Sequence, residues 1–220
     1  MAVLLSDLYE SVKNQDMTLV AGEQGMGNVV RWLHMVESNA ISSFLDGQEI
    51  AFTTGVGLSS EETLLDLAKS NNEHKASGMV VNIGPFIKEI PKDVIDYCNQ
   101  EGFPLFTVPW QVHMAEIMRT FCYMITESDK YNLELSSAVK NAIFFSNQEE
   151  LYVPQLERNN FLRTWSYCIT VVDIVDGSEK ISEEKLQRYL KSMENYMIFS
   201  RKKTFAFELG GNIVLLFAEY

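Results

Sequence analysis

Residues 78–108 read GMVVNIGPFIKEIPKDVIDYCNQEGFPLFTV and contain a strand, a helix and a second strand in close succession. The first six residues form an apolar strand that stops at Gly84-Pro85. Pro91 favours the first turn of a helix and Gly102 favours its end, because proline and glycine are common at these two positions. The second strand is Leu105–Val108. Strands that alternate with helices over short connections predict a parallel sheet flanked by helices.

The same alternation extends towards the amino terminus. A helix is predicted over Glu61–Asn71, beginning at Ser59 or Ser60, with leucines on its inner side. Earlier strands are predicted at Leu19–Ala21, Val29–Val36 and Ile50–Thr54. We therefore predict an α/β fold whose first domain, residues 1–112, has a mainly parallel sheet flanked by helices.

Residues 113–150 contain neither glycine nor proline, which predicts one long helix or two. The apolar residues recur at helical spacing in two stripes: Ile117, Phe121, Met124 and Ile125, then Leu133, Leu135, Val139, Ala142 and Ile143. Such a stripe packs on another helix, as in a dimer, or folds back on its own domain. The sequence leaves both arrangements open, and we expect this segment to be a linker that forms a homodimer.

Residues 151–220 are predicted to form part of an α+β domain. Tyr167–Val175 has the composition of a strand, and Ser182–Tyr196 that of an amphipathic helix. Gly210-Gly211-Asn212 joins two further apolar runs, which predicts a β-hairpin. Since the chain ends at Tyr220, directly after this hairpin, we expect the domain to be incomplete.

The composition excludes several classes of protein. Of 220 residues, 46% are hydrophobic, and 18 basic against 30 acidic residues give a net charge of −12. This charge disfavours contact with phosphate backbones or anionic membranes. The three cysteines are far apart, which predicts reduced thiols rather than a disulfide or zinc site. Without a membrane-length apolar run or a signal peptide, we expect a soluble, cytoplasmic protein with no membrane partner.

The sequence contains no recognisable catalytic motif. Its three histidines are isolated, and the glycines of 22–27 fit a turn better than a phosphate-binding loop. We expect no catalytic residue, no metal and no cofactor.

Polar residues at the carboxyl ends of parallel strands are better candidates, because ligands bind at that edge of such sheets. On this ground we expect one ligand pocket from Glu37, Ser38, Thr53, Thr54, Gly55, Asn82 and Trp110. Arg31 is the only basic residue between Lys13 and Lys69; it either meets an anionic or ureide ligand or pairs with Glu23 or Glu37 on the surface. His34 is either a base or a half-buried strand histidine.

Three motifs in order carry a resemblance to a known family: G-E-Q-G at 22–25, R-W-L-H at 31–34 and T-T-G at 53–55. With V-P-W at 108–110, they make residues 1–125 resemble the N-terminal domain of PucR-type purine-catabolism transcriptional regulators. Two segments depart from the family: Gly27-Asn28-Val29 stands where a D-R-P-like segment is common, and Gly47-Gln48 replaces a glycine pair.

The resemblance implies a small-molecule effector, and the family name points to a purine-degradation intermediate such as a ureide. It also implies that residues 160–220 begin a degenerate GGDEF-like domain. Asn212-Ile213 stands where a nucleotide cyclase needs acidic residues, so Mg²⁺-dependent cyclase chemistry is not expected. DNA would be contacted only through a C-terminal helix-turn-helix that this chain lacks. Two alternatives stay open: a small α/β enzyme using Glu37 or His34, and a dimerisation scaffold without a ligand.

Overall fold

The computed structural model describes residues 3–59, 61–176, 179–198 and 203–219. The described chain divides into two compact units, one over Val3–Thr126 and the other from Glu127 onwards. Each unit has its own sheet and its own buried core.

The first unit is built around a five-stranded, mostly parallel sheet. The described strands of this unit, inside and outside that sheet, are β1 (Val3–Leu4), β2 (Thr18–Ala21), β3 (Val29–Val30), β4 (Trp32–Met35), β5 (Glu49–Thr53), β6 (Gly78–Ile83) and β7 (Leu105–Pro109). The order in the sheet is β2-β7-β6-β5-β4, with β4 to β7 parallel and β2 antiparallel to β7. β1 and β3 form a separate two-stranded ribbon. The predicted mainly parallel sheet is confirmed.

Helices cover both faces of this sheet, as its continuous apolar strands require. The helices are α1 (Leu5–Val12), α2 (Asn39–Ser42), α3 (Leu64–Glu73), α4 (Lys92–Glu101) and α5 (Met114–Phe144). Side chains of α3 and α4 form one core with Ala51, Met79 and Val81. The alternate strand residues, among them Phe52 and Val80, pack against α1 and the first part of α5.

In the first unit, the strand predicted over Val29–Val36 and the helix start predicted near Ser59 were wrong. The strand predicted over Val29–Val36 is interrupted at Arg31, so β3 pairs with β1 while β4 joins the sheet. The third helix begins at Leu64, not near Ser59, because Thr63 caps it. The Thr63 hydroxyl accepts from the Asp66 amide at 3.2 Å, and the Asp66 carboxylate accepts from the Thr63 amide at 3.0 Å. Ser60 lies outside the described residues.

The second unit contains a small antiparallel sheet. Its elements after α5 are α6 (Val153–Arg158), β8 (Ser166–Val172), β9 (Val175–Asp176), β10 (Glu179–Lys180), α7 (Glu183–Ile198), β11 (Lys203–Leu209) and β12 (Asn212–Glu219). The sheet order is β11-β12-β8, and β9 and β10 form a separate ribbon. The predicted hairpin is confirmed, with Leu209 opposite Asn212 and positive φ angles at Gly210 and Gly211. The strand predicted to reach Val175 ends at Val172.

α5 is one helix, and five residues of its two apolar stripes are buried within the chain, whereas Leu133 and Ile143 stay exposed. Ile117, Phe121 and Ile125 lie in the core of the first unit. Leu135 and Val139 lie in the core of the second unit. For these residues the helix packs back on its own chain, which leaves them unavailable to a second helix. No helix among the described residues combines the length and the apolar character needed to cross a membrane.

Candidate functional site

The Glu37 carboxylate lies at the carboxyl edge of the first sheet and is enclosed by the loop that follows β5. It accepts hydrogen bonds from the hydroxyls of Thr53 and Thr54, both at 2.8 Å. It also accepts from the backbone amides of Thr54 at 3.0 Å and Gly55 at 3.1 Å. β4 and β5 are parallel and end at the same edge, and this brings Glu37 to the T-T-G motif 16 residues later in the chain.

Glycine makes this loop conformation accessible. Gly55 has a φ of +80°, and a Cβ added there would lie 2.5 Å from Cδ1 of Ile87. The position therefore requires both a left-handed backbone and the absence of a side chain. Because four donor groups already use the acceptor capacity of the Glu37 carboxylate, this residue positions the loop and is not a free acid or base.

A second group of residues lies at the same edge, where β6 and β7 end. Asn82 is buried, and its side-chain amide donates to the carbonyl oxygens of Val108 at 3.1 Å and Pro109 at 3.3 Å. The Trp110 amide donates to the Ile83 carbonyl at 2.8 Å. These bonds hold the Trp110 ring at the edge, with 45% of the residue exposed.

The loop after β6 connects the two groups. A Cβ on Gly84 would lie 2.6 Å from the Trp110 ring, so the indole packs directly on this glycine. The Phe86 ring meets the indole edge-on, with 6.2 Å between the ring centroids. Phe86 also lies close to Gly55. The structure thus brings Glu37, Thr53, Thr54 and Gly55 into one cluster and joins it, through Phe86 and Ile87, to Asn82 and Trp110.

Sequence reasoning missed Phe86, which is 54% exposed beside Trp110 and belongs to this edge. Its only sequence signal is its place directly after the Gly84-Pro85 that stops a strand. Ser38 lies next to Glu37, half-buried, where its carbonyl accepts from the Ile41 and Ser42 amides at the start of α2.

Arg31 and His34 are not brought to this edge. Arg31 precedes β4 and is level with Gln48, which precedes β5, so it lies at the opposite, amino edge of the sheet. The exposed Arg31 side chain donates through Nε to Oε1 of Gln48 at 3.0 Å, not to Glu23 or Glu37. Gln48 has a φ of +71°, a left-handed backbone angle that favours glycine. A glycine pair at 47–48 would adopt this angle without strain. His34 is half-buried in the middle of β4, opposite Ala51.

The second unit contains a cleft that no sequence pattern had indicated. Its volume is about 240 Å³, and apolar side chains from α5, α6, β8 and β12 form most of its walls. Arg163 and Glu149, at its rim, form an ion pair at 2.7 Å. Burial, and then the charge of Glu157, raise the pKa of Tyr167 in the cleft wall above its usual range. Among the described residues, no group of three or more His, Cys, Asp or Glu side chains is placed to hold a metal ion.

Comparison with known proteins gives two matches and no solved structure. The profile of the purine catabolism regulatory protein-like family matches residues 7–125. The chain is also similar to the "Purine catabolism regulatory protein" of Bacillus subtilis (strain 168), with 23% identity over 134 residues. That alignment covers 60% of this chain and 25% of the relative, so the chain spans about a quarter of the relative's length. No solved structure matches the chain.

Proposed function

The chain belongs to the purine catabolism regulatory protein-like family, and from that premise we propose that it senses a small metabolite for a transcriptional regulator. The site is the carboxyl edge of the first sheet, from Glu37 to Trp110. In this proposal residues 1–112 sense the effector, 113–150 link the units in a cytoplasmic homodimer, and 151–220 begin a GGDEF-like domain. DNA is contacted only by a domain outside this chain.

One observation carries the proposal: Trp110 is part of the site and lies only four residues before α5 begins at Met114. A ligand that stacks on the exposed rings of Trp110 and Phe86 contacts the segment from which the helix starts. Binding then biases α5 between two arrangements, by as much as the ligand's affinity differs between them. α5 carries that bias to the domain that contacts DNA.

We propose a planar effector that comes from purine degradation, because the Bacillus subtilis relative is named for the regulation of purine catabolism and the site presents exposed aromatic rings. Purines and cyclic ureides have flat faces that stack on aromatic rings. Arg31 and His34 lie away from the Glu37–Trp110 edge, so the proposed contacts are the Trp110 and Phe86 rings and the loop held by Glu37. Ser38 and Asn82 support this surface from beneath through their own hydrogen bonds.

The alternative of a small enzyme is less well supported. It needs Glu37 or His34 as an acid or base, but the Glu37 carboxylate is occupied by four donors of its own chain. The alternative of a scaffold without a ligand leaves the exposed Trp110–Phe86 pair without a role.

The test is a thermal-shift and calorimetry screen of the 220-residue chain against xanthine, urate and allantoin, with the acyclic allantoate as the non-planar comparison. A ligand at 100 times its Kd stabilises the folded state by about 2.7 kcal/mol, which such a screen detects. Trp110→Ala is expected to weaken binding at least about tenfold, the loss of one stacking contact. Trp32→Ala is the matched control, since Trp32 is 53% exposed but lies at the amino end of β4.

Equal affinity in Trp110→Ala and the wild-type chain would refute the site. A folded chain that responds to none of the three ring compounds, or to allantoate alone, would refute the proposed effector class. Circular dichroism of both variants separates a binding defect from a folding defect.

A further inference from the structure

We propose that Asn82 selects the effector: its side-chain oxygen accepts a hydrogen bond from a ring N–H of a planar cyclic amide or cyclic ureide. This inference rests on the proposed function, because it adds a polar contact to the same site and names the chemical group that the ligand must carry. The oxygen of Asn82 meets the ligand, while its amino group stays bonded to the end of β7.

Two hydrogen bonds fix the orientation of the Asn82 amide. Its Nδ2 donates to the Val108 carbonyl at 3.1 Å and to the Pro109 carbonyl at 3.3 Å. The opposite orientation would set Oδ1 against the same two carbonyl oxygens, which have no hydrogen to donate. Oδ1 therefore points away from β7 whether or not a ligand is bound.

The Asn82 oxygen has no partner of its own. No described residue donates to Oδ1, and both hydrogens of the amino group are already used, so Asn82 can only accept from a ligand. The residue is 4% exposed, so nearly all of its side chain is packed. An acceptor in such a place is costly without a hydrogen bond, because burial removes most of the water that would solvate it.

Solvent, and therefore a ligand, still reaches this oxygen. Among the described residues, the buried side-chain atoms without a partner are Oδ1 of Asn39, Oε2 of Glu49 and Oε1 of Gln155. These three atoms are sealed from solvent, whereas Oδ1 of Asn82 lacks a partner without being sealed. Of these four groups, the oxygen of Asn82 is the one that a molecule at the carboxyl edge can contact.

The oxygen also lies close to the proposed stacking surface. Asn82 is two residues before Gly84, on which the Trp110 ring packs, and it bonds the carbonyl of the residue directly before Trp110. A planar ring that stacks on the indole directs its N–H groups outward from its own edge, where a fixed acceptor beside the indole receives one. The Glu37 carboxylate, by contrast, already accepts from donors of its own chain.

A fixed acceptor gives the site a selectivity that stacking does not supply. Every planar heterocycle has a face that stacks, but only one that carries an N–H can donate to Oδ1. A methyl group on that ring nitrogen removes the hydrogen and leaves the acceptor covered and unpaired. The inference therefore narrows the effector class to planar purine-degradation products with an unsubstituted ring N–H.

The experiment compares matched compounds by calorimetry on the 220-residue chain. Xanthine, urate and allantoin are each paired with the derivative in which every ring N–H carries a methyl group. The wild-type chain is expected to bind an N–H compound at least about tenfold more tightly than its methylated partner. Trp110→Ala should weaken both members of that pair, because both stack. Asn82→Ala should weaken the N–H member alone and bring the two affinities within about threefold of each other.

Asn71→Ala is the matched control. Asn71 is also buried, but its Oδ1 accepts from the Ser42 hydroxyl at 2.8 Å, and it lies on α3. This variant is expected to leave both affinities within about threefold of those of the wild-type chain. Asn82→Ala also deprives two carbonyl groups of their donor, so circular dichroism of each variant checks its folding. The comparison of each pair in the wild-type chain needs no variant and decides the proposal even where Asn82→Ala does not fold.

The outcomes separate this inference from the proposed function. A preference for the N–H member that disappears in Asn82→Ala and persists in Asn71→Ala supports the role of Asn82. Equal affinity for both members in the wild-type chain overturns that role and keeps the stacking site, as does a preference that survives in folded Asn82→Ala. Unchanged affinities in Trp110→Ala, or a chain that binds no member of any pair, overturn the proposed site and this inference together.

Discussion

Replacement of Glu37 by glutamine tests whether this carboxylate fixes the loop after β5. The carboxylate receives four donor groups, and two of them are backbone amides that cannot turn elsewhere. If the interpretation is correct, Glu37→Gln destabilises the first unit even without a ligand. If Glu37 serves only to contact the effector, the substitution changes affinity and leaves stability unaltered.

The magnitude follows from which bonds survive. A glutamine oxygen at the Oε2 position can still accept from the Thr53 hydroxyl and the Thr54 and Gly55 amides, and its amino group can donate to the Thr54 hydroxyl. The number of bonds is kept, but the negative charge is lost. Since a hydrogen bond to a charged group contributes about 1.5–3 kcal/mol and a neutral one about 0.5–1.5, we expect a loss of about 2 kcal/mol. Glu37→Ala, which removes every acceptor, is expected to cost about 4 kcal/mol.

The assay is urea unfolding followed by tryptophan fluorescence in a Trp165→Phe background. Trp32 and Trp110, the two indoles that remain, both lie in the first unit. Glu89→Gln is the control, because this exposed loop residue loses the same charge. A Glu37→Gln variant within 0.5 kcal/mol of that control would refute the reasoning, since ordinary surface substitutions fall in that range.

Three further predictions concern the packing of the first unit. Gly84→Ala puts a Cβ 2.6 Å from the Trp110 ring, so we expect a loss of about 1–3 kcal/mol and a shifted indole emission maximum. Thr63→Ala removes the cap of α3 and should cost about 1 kcal/mol in thermal unfolding. Burial raises the pKa of the Cys98 thiol to about 12, so at pH 8 a thiol reagent should label Cys98 only on unfolding. Because the folded state binds the Cys98 thiol proton more tightly than the unfolded state does, this thiol contributes its full share of folding stability below the pKa of the unfolded chain. That contribution is lost as the pH rises towards 12.

Controls for these predictions come from the same chain. Gly27→Ala meets no atom within 4 Å and should be nearly neutral, and a comparable loss in both glycine variants would contradict the packing argument. Ser59→Ala should change stability by less than about 0.5 kcal/mol. A loss as large as that of Thr63→Ala would instead support the helix start that the sequence predicted near Ser59. Cys168 is exposed, and its rapid labelling in the native protein shows that the reagent is active.

Elements marked by local chemistry were predictable from the sequence. β6 has the predicted bounds, α4 ends at Gly102 in a left-handed conformation, and the hairpin turns at Gly210-Gly211. In each case neighbouring residues along the chain supply the signal. The helix start at Thr63 was misplaced because several serines and threonines compete there, and only the side-chain geometry shows which one bonds the free amides.

The site was predictable in part, again because the signal came from residues that are neighbours along the chain. Polar residues after apolar strands identified the carboxyl edge, and Glu37 does meet Thr53, Thr54 and Gly55 there. Arg31 belongs to the same motif as Trp32 and His34, yet it lies at the other edge. The edge at which Arg31 lies depends on where β4 begins and on the register of β4 with β5.

The sequence by itself determined the α/β class, the turn positions and the apolar stripes, because these depend on periodicity and on residues with restricted backbone angles. Only the tertiary structure decided what each stripe and each polar group meets. An apolar stripe is driven from water with no preference for a partner, so the sequence could not tell that α5 packs on its own chain. A carboxylate is a free ligand group or a structural acceptor according to the donors around it, and for Glu37 those donors come from a loop that only folding brings near.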